Sequence, residues 1–154
     1  MKSPEYKDFV ALLNSHEVRY LVVGAHAVGL YSKPRATKDL DVWVDPTPEN
    51  AKRTIAAIRD FFGGFDFGLE VDDLTSAGRI VQLGVAPARI DILTSISNLS
   101  FAEAWPSRSE DDFEGVPAKF LSLDDLITAK EAAGRSQDLF DLAGLRRARS
   151  RKTP

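Results

Sequence analysis

The chain is 154 residues long, 44% hydrophobic, carries a formal charge of −3 and contains no cysteine. That length and apolar content support one domain, residues 1–154, with a true core and leave little room for a second. The charge excludes a surface that is basic throughout, and the missing cysteines exclude disulfide frameworks, thiolate zinc sites and cysteine nucleophiles. The longest mostly apolar run, residues 20–31, is far too short for a membrane span, and the N-terminus lacks a signal-like apolar stretch. The expectation is a soluble cytoplasmic protein with no membrane partner.

In chain order, Ser3 and Pro4 read as the cap and first position of a helix that carries Tyr6, Phe9, Val10 and Leu13 on one face. A strand is expected over 19–23, a helix over 24–31, an irregular stretch over 32–35 and a second strand over 39–44. Thr47-Pro48 restarts a helix whose Ala51, Ile55, Ile58 and Phe62 form one apolar stripe, ended by Gly63-Gly64. Residues 79–85 and 88–93 alternate as two strands of a hairpin around Ala86-Pro87. A short helix follows over 99–105, then an irregular or weakly strand-like region over 111–121 containing Gly115 and Pro117. Ser122-Leu123-Asp124-Asp125 opens a helix as a capping box, and Ser136 opens another that runs to about residue 149. Residues 146–154 are basic and expected to fray.

Chemistry concentrates around Asp39-Leu40-Asp41. Side chains at i and i+2 of a strand share a face, so the two carboxylates project together with Cα atoms about 6.5–7 Å apart. Carboxylates in a strand interior cost several kcal/mol unless something cationic meets them, and all-oxygen donors suit a hard divalent ion such as Mg²⁺. A third carboxylate, Asp91, opposes Ile90 and Ile92 in the 88–93 alternation. Gly24-Ala25 ends an apolar strand at a helix start, where free N–H groups attract phosphate. Lys130 falls on the inward stripe of Leu123, Leu126 and Ile127, where a lysine either snorkels or reaches a buried anion, and Asp138 and Asp141 are one turn apart, placed to hold it or Arg135. The competing reading makes Asp39 and Asp41 a salt-bridged strand end partnered by Arg35, Lys38 or Arg89. Walker, His-Glu-x-x-His and Gly-x-Ser-x-Gly motifs are absent.

The Gly24-Ala25 turn, Asp39-Leu40-Asp41 and the later Asp91 resemble the DNA polymerase β-like nucleotidyltransferase superfamily. The longer pattern is Val23-Gly24-Ala25-His26-Ala27, residues 34–44, then Lys130 and Arg135-x-x-Asp138-Leu139-x-Asp141-Leu142. It resembles the small prokaryotic branch related to abortive-infection nucleotidyltransferase toxins. The resemblance implies an α+β nucleotidyltransferase fold: a mixed β-sheet flanked by helices, with the C-terminal helices packed near the site. It implies NTP-dependent transfer of a nucleoside monophosphate to an acceptor hydroxyl, on a tRNA or other RNA end or on a protein, with a toxin–antitoxin or phage-defence setting and a cognate antitoxin as partner. Asp39, Asp41 and Asp91 would be catalytic and hold two Mg²⁺, or Mn²⁺. Gly24, Ala25, Arg35, Thr37, Lys38 and Lys130 would meet the nucleotide and its phosphates. Ala25 stands where a second glycine or a serine is usual, and Gln137 where a lysine is common. These departures motivate the alternative of a non-catalytic nucleotide-binding or partner-binding module that keeps the fold.

Overall fold

A computed structural model describes residues 5–33, 39–84 and 89–152. The helices are α1 (Glu5–Ser15), α2 (Gly24–Tyr31), α3 (Pro48–Phe61), α4 (Phe101–Ala104), α5 (Leu123–Ala133) and α6 (Ser136–Lys152). The strands are β1 (Tyr20–Val23), β2 (Asp39–Val44), β3 (Ile80–Leu83), β4 (Arg89–Leu93), β5 (Ser109–Phe113) and β6 (Val116–Phe120). They form one mixed six-stranded sheet in the order β3-β4-β2-β1-β6-β5. The expected mixed sheet flanked by helices is what the chain builds.

The centre of the sheet positions the site. β2 runs antiparallel to β1 and parallel to β4. A parallel neighbour requires a long crossover, and α3 opens the one between β2 and β4. Thr47 caps α3, its hydroxyl accepting from Asn50 N, and Pro48 fills the first turn, where its missing N–H costs nothing. Ala51, Ile55 and Ile58 are buried as their spacing requires. Asn50 is buried too, and its amide is satisfied by Arg19 N, Arg19 O and Asp45 O, tying α3 to the start of β1 and the end of β2. α1 packs on α3 and β6, while α5 and α6 pack on each other and on α2.

Two expectations change. The region over 111–121 takes the strand-like alternative and not the irregular one, and more regularly than expected: β5 and β6 form an antiparallel hairpin at the sheet edge, turned at Glu114-Gly115, with Phe113, Ala118 and Phe120 buried. The acidic residues of β5 hid the alternation, because the edge strand exposes Glu110, Asp111 and Asp112 to water. The basic tail is not frayed where it is described. α6 continues to Lys152, anchored by buried Leu142, Leu145 and Ala148 and by the pairs Arg146–Glu131 (2.7 Å) and Arg149–Asp124 (3.8 Å). Ser3, Pro4 and the Ala86-Pro87 turn lie outside the described residues. No helix among the described residues is long and apolar enough to cross a membrane.

Candidate active site

Register brings the acids together. Asp39 pairs with Arg89 and Asp41 with Asp91 across the parallel β2–β4 ladder, so all four side chains occupy one sheet face on strands about 4.8 Å apart. The Arg89 guanidinium lies between the outer carboxylates. Its Nη2 donates to Asp39 Oδ2 at 3.1 Å and to Asp91 Oδ2 at 3.3 Å. Its Nε is 3.1 Å from Asp91 Oδ1 but out of hydrogen-bond alignment, which leaves that oxygen buried without a hydrogen bond among the described residues. Beneath them Trp43, on the same parity as Asp39 and Asp41, is buried edge-on against Phe101 at 5.1 Å between centroids.

Asp41 carries the strain of this arrangement. Burial first, then the charges of Asp91 and Asp39 and a hydrogen bond with Asp91, push its pKa up to about 6, against the smaller opposing pull of Arg89. Among the described residues three carboxylates therefore face the single guanidinium of Arg89, an arrangement rich in negative charge. A hard divalent cation fits that donor set: oxygen ligands, a surplus of charge and a buried carboxylate oxygen, Asp91 Oδ1, lacking a donor. Among the described residues, no three acids or histidines already close on a single point, as expected while Arg89 is bonded between Asp39 and Asp91.

The turn before α2 is shaped by its contact with Asp41. Gly24 has φ +68°, and a Cβ there would run into Asp41 Oδ2. Both backbone conformation and space therefore demand glycine. Val23 gives α2 no side-chain cap, so its first N–H groups, those of Gly24 and Ala25, point out of the helix end beside Asp41 without a capping partner from Val23. Gly24→Ala is expected to cost about 1–2 kcal/mol for the left-handed backbone alone, and to displace the Asp41 carboxylate. Urea unfolding measures the first effect. The second would appear as loss of thermal stabilisation by Mg²⁺, and an alanine variant that keeps both intact would contradict this reading of the turn.

Helix α5 supplies the opposite wall. A cleft of about 270 Å³ is lined by Gly24 and Asp41 on the sheet side and by Leu126, Lys130, Arg135 and Asp138 on the helical side. Lys130 Nζ lies 3.1 Å from both Asp138 Oδ1 and Asp141 Oδ2. Arg135 reaches Asp138 through Nε at 2.8 Å and through its backbone N–H at 3.1 Å. Burial pushes Asp138 up, but the hydrogen bonds from Arg135 and Lys130 outweigh it and bring the carboxyl to about 2. Lysine has three donors, so two aspartates leave one N–H of Lys130 for another acceptor. Gln137 donates to Asp141 at 3.2 Å.

The structure thus gathers Gly24, Ala25, Asp39, Asp41, Asp91 and Lys130 around one end of the sheet. Arg35, Thr37 and Lys38 lie outside the described residues. His26 packs edge-on between Tyr6 and Phe113, and burial holds it below the usual imidazole range, with a smaller opposing pull from Glu114. Arg89 was foreseen only as a salt-bridge partner. Its position two before Asp91, hence on the same strand face, is the signal that would have placed it in the site.

Comparison with known proteins gives the family and the fold it shares. The sequence matches the family described as nucleotidyltransferase of unknown function (DUF6036) over residues 6–145. No curated protein matches it by sequence. Among solved structures, a "putative nucleotidyltransferase" from Thermotoga maritima is 18% identical with a TM-score of 0.62, the match covering 93% of each chain. ANT(2'')-Ia, solved with adenylyl-2''-tobramycin, is 14% identical with a TM-score of 0.60, over 93% of this chain and 86% of that one. The lincosamide antibiotic adenylyltransferase LnuA, lincomycin-bound, is 14% identical with a TM-score of 0.59, over 95% and 97%. At such identities the likeness is one of fold, but the family match spans nearly all of the chain, and the protein belongs to the DUF6036 family of nucleotidyltransferases.

Proposed function

We propose that the protein moves a nucleoside monophosphate from an NTP, ATP among them, to an acceptor hydroxyl. The observation that carries this reading is the face shared by Asp39, Asp41 and Asp91 beside the Gly24–Ala25 helix start, to which Val23 gives no side-chain cap. Divalent ions, Mg²⁺ or Mn²⁺, held by the three aspartates would offset triphosphate charge and lower the pKa of the attacking hydroxyl. The chain's own residues do the rest. The N–H groups of Gly24 and Ala25 receive phosphate oxygens. The remaining donor of Lys130, on the facing wall, reaches the same anion, with Arg35, Thr37 and Lys38 preceding Asp39 in the sequence. The acceptor oxygen bonds to the α-phosphorus, the bond from that phosphorus to the β-phosphate bridging oxygen breaks, and pyrophosphate leaves. The acceptor proton passes to a carboxylate, which in this reading is the buried Asp91.

The abortive-infection resemblance favours an RNA end, that of a tRNA included, or a protein hydroxyl as acceptor, and a cognate antitoxin as partner. A small-molecule hydroxyl, such as that of an antibiotic, is a further option that the sequence leaves open, and two structural neighbours solved with antibiotic compounds support it. A non-catalytic module is the second reading, favoured by Arg89 standing among the acids where ions would bind. The test supplies each α-phosphate-labelled NTP with Mg²⁺ to a cell extract, with wild type in parallel to Asp39→Ala/Asp41→Ala. Label entering RNA, protein or a small molecule only with wild type is expected. No transfer from any NTP by a protein that still binds metal-nucleotide would favour the module.

A further inference from the structure

The arginines of α6 and of the residue just before it divide into two groups. Arg135, Arg146 and Arg149 face carboxylates on Asp138, Glu131 and Asp124. Arg147 and Arg151 do not: among the described residues neither has a carboxylate within ion-pair range, and they sit at i and i+4 on one helix face, where like charges repel. Lys33, just past the end of α2, joins them. With Tyr31, Ser32 and Gly144 these three cations line a cleft of about 390 Å³. Gly144 brings α6 against Ser32, whose hydroxyl would have to turn away from a Cβ at that position. Among the described residues no carboxylate pairs with these three positive charges, which repel one another around a polar hollow and attract an anion.

The cleft does not end there. An adjoining hollow of about 350 Å³ shares Ser32, Lys33, Gly144 and Arg147 and continues to Phe140 and Asp141. Phe140 is 74% exposed, which for a phenylalanine beside a cationic groove is a ready stacking surface. Asp141 is bound to Lys130, which lines the cleft of Asp41. On the other side, the Tyr31 hydroxyl donates to the carbonyl of Leu121 at 2.7 Å, and Leu121 lines that same cleft. The eight residues of α2 separate the Gly24 turn from Ser32 by about 12 Å, a span of a few nucleotides.

A groove of cations that tracks phosphates, with an aromatic ring for bases, is the combination that binds single-stranded nucleic acid. We infer that the seam between the end of α2 and α6 holds the acceptor strand, a single-stranded RNA, its phosphates on Lys33, Arg147 and Arg151 and a base on Phe140. The inference rests on the nucleotidyltransferase reading for the word acceptor, and on the groove alone for the binding. RNA is favoured over the donor NTP because Lys33, Arg147 and Arg151, spread along two adjoining hollows, suit the successive phosphates of a strand. Its ribose hydroxyls are the groups a nucleotidyltransferase needs.

The test is fluorescence anisotropy of a labelled single-stranded RNA across a salt series, with EDTA and without NTP, so that failure of nucleotidyl transfer leaves the readout untouched. Wild type is expected to bind with affinity falling as salt rises. Arg147→Ala/Arg151→Ala is expected to flatten the log–log salt slope by about 1.4, two phosphate contacts at about 0.7 each on a single strand. Phe140→Ala is expected to weaken binding with the slope unchanged. All four groups are exposed on their helix or loop, and unchanged thermal unfolding certifies the variants as folded. RNA affinity and slope untouched by the double substitution would overturn the inference. So would variants that lose Mg²⁺-NTP binding while RNA binding stays intact, since the cleft would then serve the donor.

Discussion

Replacing Lys130 with methionine is expected to lower stability by about 3–5 kcal/mol, the usual consequence of removing one partner from a buried ion pair. The ammonium is the shared counter-ion of Asp138 and Asp141, whose side chains are 1% and 2% exposed. Methionine fills the volume but removes the ammonium that Asp141 faces, while Asp138 keeps Arg135. Because Asp138 is held down to about 2, its contribution in wild type is present above its unfolded value near 4 and lost as pH falls through about 2. Lys130→Met should move that acid loss upward. Urea unfolding at neutral pH and an acid titration followed by circular dichroism measure both effects. Adding Asp141→Asn should recover part of the loss. A change under about 1 kcal/mol would mean that the pair is screened by water and that Lys130 is free for the nucleotide alone.

Asp41→Asn is expected to act in opposite directions on stability and function. Folding raises the Asp41 pKa to about 6, so the carboxyl favours the fold below its unfolded value near 4, and that favour is lost as pH rises through 6. Above pH 7 the metal-free protein therefore holds an ionised carboxylate against Asp91 and Asp39. An amide of the same shape removes a penalty of at most about 3 kcal/mol, from roughly two pKa units at 1.36 kcal/mol each. The variant should melt higher than wild type at pH 7.5 in EDTA and the same as wild type at pH 4. With Mg²⁺ the order should reverse, because metal and proton compete for the same oxygens: wild type should gain more from Mg²⁺ at pH 7.5 than at pH 5, and the variant little at either. Nucleotidyl transfer by the variant should fall by at least about a hundredfold, given the share of rate that electrostatic stabilisation of this kind supplies. A variant no more stable than wild type at pH 7.5 would show that Arg89 already neutralises the cluster.

Asp39, Asp41 and the Gly24 turn could be read from the chain because their information is local. A period of two puts both carboxylates on one face, and a glycine between an apolar strand and a helix signals a backbone no other residue adopts without strain. The boundaries of α2 and β2 and the buried stripe of α3 follow from the same local periodicities. The β5–β6 hairpin was hidden because an edge strand exposes its polar side chains and loses the apolar alternation by which strands are recognised. Which acids meet, and what lies between them, was decided by the fold. The pairing of Asp41 with Asp91 depends on the register of a parallel ladder joined by a crossover of some forty-five residues, and no local pattern encodes a register at that separation. The place of Arg89 between Asp39 and Asp91, the double hold of Asp138 and Asp141 on Lys130, and the cleft that Arg147 and Arg151 share with Lys33 all join residues from different elements. Sequence names the charges available; only packing distributes them, because each ion pair depends on a distance of a few ångströms that tertiary structure alone sets.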